Sequence, residues 1–170
     1  MAREASQGCL PSVLRFLGIN QASGEAAGLL PYLRKDYLLT KAERSFFHAL
    51  FDVAGGRFHV FAMVRLADLV YIPRGTERRQ SYFNRIRSKH VDFVLCELES
   101  IRPMLAIELD DASHSRRDRK ERDVFVEEAL RVAGLPLLRI PVRRDYSPHG
   151  LERQIRESMG ATGADDVLPS

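Results

Sequence analysis

The stretch from Met104 to Ile140 constrains this chain more than any other. Met104-Leu105-Ala106-Ile107-Glu108-Leu109-Asp110 is a largely apolar, strand-like run, and Leu137–Ile140 is a second. Between them Arg119–Val132 carries Val124, Phe125, Ala129, Leu130 and Val132, with Gly134 past its end and Pro136 blocking further helix. Strand, helix and strand in that order make a right-handed crossover, which leaves its two strands parallel. An all-helical bundle and an all-β sandwich are both excluded.

The elements upstream complete a sheet. Thr40-Lys41-Ala42-Glu43 is a capping-box pattern, in which hydroxyl and carboxylate each satisfy an orphan amide. It opens a helix with Phe46, Phe47, Leu50 and Phe51 on one face, stopped by Gly55-Gly56. Phe58–Val64 reads as a strand, Pro73 and Gly75 as a loop, and Ser81 as the cap of a short helix through Arg87. His90–Leu95 is the next strand. Its connection to Met104, Cys96–Pro103, is short enough for an antiparallel hairpin. A last helix starts at Ser147-Pro148 and ends at Gly160. The pattern is therefore α/β, an αβββαβ core with a further helix, its mixed central sheet flanked by helices. Residues 1–36 form a weakly structured N-terminal arm with a short helix near Ser12–Leu17. Residues 37–159 form the domain, and 160–170 a flexible tail.

Composition narrows the class. At 170 residues, 45% hydrophobic and 29% charged, the chain suits one folded domain rather than wholesale disorder. Two cysteines, Cys9 and Cys96, make neither a disulfide framework nor a four-thiolate zinc site. Arg15, Arg65 and Asp68 interrupt the longest apolar stretches, which fall short of the roughly 20 residues of a membrane span. No signal-peptide pattern opens the chain. These features point to a soluble, cytoplasmic protein with no membrane partner.

The net charge of +3 says little, but its distribution says more. Arg74, Arg78, Arg79, Arg85, Arg87 and Lys89 fall in one segment against a single acid, Glu77, with Tyr82 and Phe83 among them. Arg116, Arg117, Arg119, Lys120 and Arg122 follow later against Asp118 and Glu121. Basic clusters with interleaved aromatics suit phosphates and unstacked bases. A solvated charged face is the equal alternative.

Acid placed on core-like strands is the informative feature. Asp92 interrupts Val91 and Phe93-Val94-Leu95, while Glu108 and Asp110 interrupt the third strand. Side chains alternate along a strand, so Glu108 and Asp110 share a face, and a hairpin brings Asp92 across from them. Three converging carboxylates repel unless a cation sits between them. An oxygen-only set of Asp92, Glu108, Asp110 and the Leu109 carbonyl suits Mg²⁺ or Mn²⁺. His114, four positions after Asp110, could approach the same ion or its water. Taken singly, Asp110, Asp111 and His114 read more readily as a polar strand-to-helix turn. Carboxylates pointing apart, or each closed by a guanidinium, would end the metal reading.

With Asp on the second strand and Glu-x-acid on the third, the order of elements resembles the PD-(D/E)xK superfamily of restriction-endonuclease-like nucleases. Four stretches resemble the domain-of-unknown-function family 2726, itself similar in layout to very short patch repair endonucleases. They are Leu38–Glu43, Lys89–Leu95, Ile107–His114 and Gly134–Ile140, within residues 31–157. The resemblance implies that Asp92 and Glu108 bind metal and that His114 belongs to a Glu-x-Asp-x-x-x-His pattern. It also matches Glu43 to an acid on the first helix, a role that competes with the capping box. Arg122 and Arg139 would meet phosphate or pair with the acids, a salt bridge being the simpler role. Two departures stand out. Val91 replaces the superfamily's Pro, and Asp110 stands where a Lys usually orients the attacking water.

Two functions follow as expectations. One is a Mg²⁺- or Mn²⁺-dependent endonuclease acting on DNA, with Asp92, Glu108 and Asp110 holding the ion and the basic segments gripping the backbone. The other is an inactive nuclease-fold module that binds nucleic acid or a protein partner. A homodimer is compatible with both.

Overall fold

The computed structural model describes residues 30–110 and 117–160, with side chains described for all of these except 117–123. The chain divides into two units, Met1–Asp36 and Tyr37–Ser170. In the first, residues 30–36 are exposed and form neither helix nor strand. The helix expected near Ser12–Leu17 and the tail beyond Gly160 lie outside the described residues.

The second unit is a mixed α/β fold, with four strands and five helices among the described residues. Its elements are α1 (Lys41–Ala54), β1 (Phe58–Arg65), α2 (Leu66–Leu69), α3 (Arg79–Ile86), β2 (His90–Glu97), β3 (Pro103–Asp110), α4 (Arg117–Val132), β4 (Leu137–Pro141) and α5 (Pro148–Gly160). The sheet is open, in the order β1-β2-β3-β4. The first two pairings are antiparallel, and β3 and β4 run parallel, as the strand–helix–strand unit requires.

Strand alternation divides the core between two faces. Phe93, Leu95, Leu105, Ile107 and Ile140 pack with Phe46 and Leu50 of α1 and with Leu151 and Ile155 of α5. Val94, Cys96 and Ala106 point the other way, to Val126 and Leu130 of α4, Leu66 of α2 and Ile86 of α3. Residues four apart on each long helix supply these contacts, as helical periodicity demands. Burial pushes the Cys96 thiol above its ordinary pKa, which leaves it a small hydrophobe at neutral pH.

Two local expectations, at the start of α3 and on the face of α1, need correction. Ser81 does not cap α3: the helix starts two residues earlier, after Arg78 in the left-handed region (φ 55°), with no side-chain cap. The inward face of α4 is set by Val126 and Leu130, while Val124 and Val132 are exposed. On α1, Phe51 is exposed and Ala54 takes the third buried position. The capping box does form. The Thr40 N–H donates to Glu43 Oε2 at 2.7 Å, and the Glu43 N–H donates to Thr40 Oγ1 at 3.3 Å. Thr40→Ala is therefore expected to cost about 1 kcal/mol of stability, read as a lower urea midpoint with unchanged slope.

Candidate functional site

The site begins with a fault in the sheet. In β1, Phe58, Val60 and Ala62 pack on the α1/α5 side, yet Val64, which alternation should place with them, packs on the other. Met63 lies between, at φ 56°, a value rare for a non-glycine residue. β2 makes the same change, with Phe93 on one side and Val91 on the other. The register pairs Ala62 with Phe93 and Val64 with Val91, so the change falls at one level, between Met63 and Asp92.

Beyond that level β2 and β3 stop pairing as a regular ladder, whose last matched residues are Phe93 and Ile107. The Asp92 side chain takes over, and its Oδ2 accepts the Leu109 N–H at 2.8 Å. A backbone donor that the ladder would have satisfied is thus held by a carboxylate, which draws Asp92 against β3. Leu109 itself packs on the first core, a contact that anchors the segment carrying Glu108 and Asp110.

The parallel register puts Glu108 beside Arg139 of β4. The Arg139 Nη1 lies 3.0 Å from Glu108 Oε2 and 2.9 Å from Asp110 Oδ1, so one guanidinium nitrogen bridges both carboxylates. Glu127 of α4 approaches Arg139 Nε at 3.9 Å. Glu108 is only 14% exposed and Arg139 26%, whereas Asp110 is half exposed. The cluster therefore runs from a shielded end at Glu108 to an open end at Asp110. Glu108, Asp110 and Glu127 thus all approach the guanidinium of Arg139, while Asp92 is tied to the backbone of Leu109 between the first two.

Two of the three carboxylates expected to meet on a metal ion, Glu108 and Asp110, are instead closed by the guanidinium of Arg139, while Asp92 accepts the Leu109 N–H. No three His, Cys, Asp or Glu side chains among the described residues gather closely enough to hold a metal ion as they stand. The donors are all oxygen, the chemistry a hard divalent ion takes, but an ion there would have to displace Arg139 from Glu108 and Asp110. Arg139 pairs with the acids, the simpler of the two roles expected for it; which carboxylates it takes is not legible from spacing, since that depends on the β3–β4 register across 29 residues. The Leu109 N–H contact and Glu127 are equally hidden.

The other predicted residues are distributed as follows. Glu43 serves the α1 capping box. Arg74, Arg78, Arg79, Tyr82, Arg85 and Arg87 are exposed along and just outside α3, and Lys89 is half-buried. Arg85 and Lys89 lie over the Phe125 ring of α4, at 4.1 and 5.3 Å from its centroid. His114 and Arg116 lie outside the described residues. Arg117, Arg119 and Arg122 belong to α4. No helix among the described residues is long and apolar enough to cross a membrane.

Fold and site together define a mixed α/β protein with an acid-rich cluster where its sheet parts. A family model described as "Protein of unknown function (DUF2726)" matches residues 35–159, and the chain belongs to that family. Comparison with the curated proteins finds no match, and comparison with the solved structures finds none.

Proposed function

We propose that this protein is a metal-dependent nuclease of the restriction-endonuclease-like kind, hydrolysing phosphodiester bonds of DNA. The observation that supports the reading is that Glu108 and Asp110 lie close enough to share the Arg139 guanidinium, which an ion would have to displace, with Asp92 tied to the residue between them. Asp92, Glu108, Asp110 and the Leu109 carbonyl would hold Mg²⁺ or Mn²⁺. A divalent ion supplies charge for the phosphate and lowers the pKa of bound water. Arg139, when released from its carboxylates, has the fork geometry to take a phosphate oxygen pair. His114 would accept a proton from the attacking water. Arg74, Arg78, Arg79, Arg85 and Arg87 would hold the strand through its phosphates. The test is plasmid nicking with Mg²⁺ or Mn²⁺, comparing the wild type with variants at Asp92 and Glu108.

A second reading draws on Arg139 itself. A built-in guanidinium makes a permanent cation, and the Lys that usually orients water is replaced by Asp110, as a non-cleaving binding module would allow. Arg139→Gln separates the two. Loss of the guanidinium from the shielded Glu108 is expected to cost about 1–3 kcal/mol. On the nuclease reading, millimolar Mn²⁺ then raises the melting temperature of the variant more than that of the wild type. Equal shifts favour the module.

A further inference from the structure

We infer that the exposed face of α3 is a stacking platform for unpaired bases, so that the nucleic acid this protein grips is single-stranded. The inference rests on the nucleic-acid reading above and adds the form of the strand. Of the eight residues of α3 only Ile86 is buried. Tyr82 and Phe83 stand 49% and 40% exposed in the middle of the helix. Neighbours three and four positions away on a helix lie side by side, which puts Arg78, Arg79 and Arg85 around Tyr82 and Arg79 and Arg87 around Phe83.

Among the described residues none of Arg74, Arg78, Arg79, Arg85, Arg87 and Lys89 pairs with a carboxylate, whereas Arg57, Arg65, Arg131 and Arg156 elsewhere each do. The contacts they do make fix the platform in place. Arg79 Nε donates to the Ile72 carbonyl at 3.3 Å, which ties the preceding loop to α3. Arg85 and Lys89 rest on Phe125, which ties α3 to α4. Lys89 is followed three residues later by Asp92, about 10 Å of extended chain, so a strand held on α3 leads toward the acidic cluster.

Single exposed aromatics are ordinary, but two consecutive exposed aromatics among arginines that pair with no carboxylate among the described residues are a different surface. A duplex presents phosphates outward and hides its base faces, so it could use the arginines and not the rings. A single strand uses both, phosphate on guanidinium and base on ring. An acidic polypeptide could also meet the cations, and the test includes one.

The experiment is fluorescence anisotropy of the full chain in EDTA, with a labelled oligothymidine of about 12 nucleotides and a duplex of equal length. The single strand is expected to bind at least about 10-fold more tightly than the duplex. Tyr82→Ala with Phe83→Ala is expected to weaken single-strand binding about 25-fold or more, while duplex binding moves less than about 3-fold. The salt dependence stays unchanged, because no charge is lost. Both rings are exposed and alanine favours helix, so the variant folds. Arg78→Gln weakens both ligands and lowers the salt slope by about one. Preference for duplex, equal loss of both ligands in the aromatic variant, or equally effective competition by polyglutamate overturns the inference. With divalent ions chelated, no cleavage enters the result. A chain that nicks through Asp92 but prefers duplex overturns the platform alone, and one that prefers single strands but nicks nothing leaves it standing.

Discussion

Asp92→Ala and Glu108→Ala are each expected to lower Mn²⁺- or Mg²⁺-dependent plasmid nicking about 100-fold or more. The two substitutions act differently. Glu108 is the shielded member of the pair bridged by Arg139, and its loss leaves the guanidinium to Asp110 and Glu127. Asp92 has a second duty, since its carboxylate holds the Leu109 N–H. Asp92→Ala therefore also costs about 1 kcal/mol of fold stability, and Asp92→Asn controls for this by keeping an acceptor oxygen while removing the charge. Loss of nicking in the folded Asp92→Asn protein assigns the effect to the charge. Nicking at the wild-type rate in all three variants removes the nuclease proposal and leaves the binding module.

The second large effect is on stability. Phe93 is fully buried in β2, one residue from Asp92, with ring centroids 5.4 Å from Phe46 and 6.3 Å from Phe47. Phe93→Ala is expected to cost about 3–5 kcal/mol, through lost transfer energy and the cavity left between β2 and α1. That is a large part of the roughly 5–15 kcal/mol that holds an ordinary domain together. Urea unfolding followed by circular dichroism reads it as a lower midpoint at constant slope. A loss under about 1 kcal/mol would mean that this core collapses readily around the gap, and that α1 contributes less than its packing suggests.

Much of the fold is legible because local rules act between near neighbours. The capping box at Thr40, the glycine stop after α1 and the Ser147-Pro148 start of α5 all involve residues within a few positions of one another. Where the local signal is weak, it misplaces the detail. α3 begins at Arg79 rather than behind Ser81, because Arg78 enters the helix from a left-handed turn that spacing does not reveal. The face of α4 is chosen by what lies beneath it, so Val126 goes inward although Val124 and Val132 are equally apolar.

The candidate site divides along the same line. Acid on apolar strands is visible as composition at Asp92, Glu108 and Asp110, because a carboxylate in a strand core is costly without a partner. Arg139 could be named as a salt-bridge partner of the acids, but not which of them it takes. Arg139 reaches Glu108 and Asp110 only because two parallel strands align in one register, and no short-range rule sets the register of a pair joined by a crossover.

By itself the sequence determined an α/β chain with a strand–helix–strand unit, a capped first helix, and three carboxylates and a basic segment as its chemical resources. These follow from periodicity, capping and side-chain charge, all local properties of the chain. Only the tertiary structure decided that β1 and β2 switch faces at Met63 and Asp92, that the β2–β3 ladder ends at Phe93, that Asp92 holds the Leu109 N–H, and that Glu108 and Asp110 share the Arg139 guanidinium. Those outcomes depend on which strands meet and at what offset, a choice made by packing two cores at once.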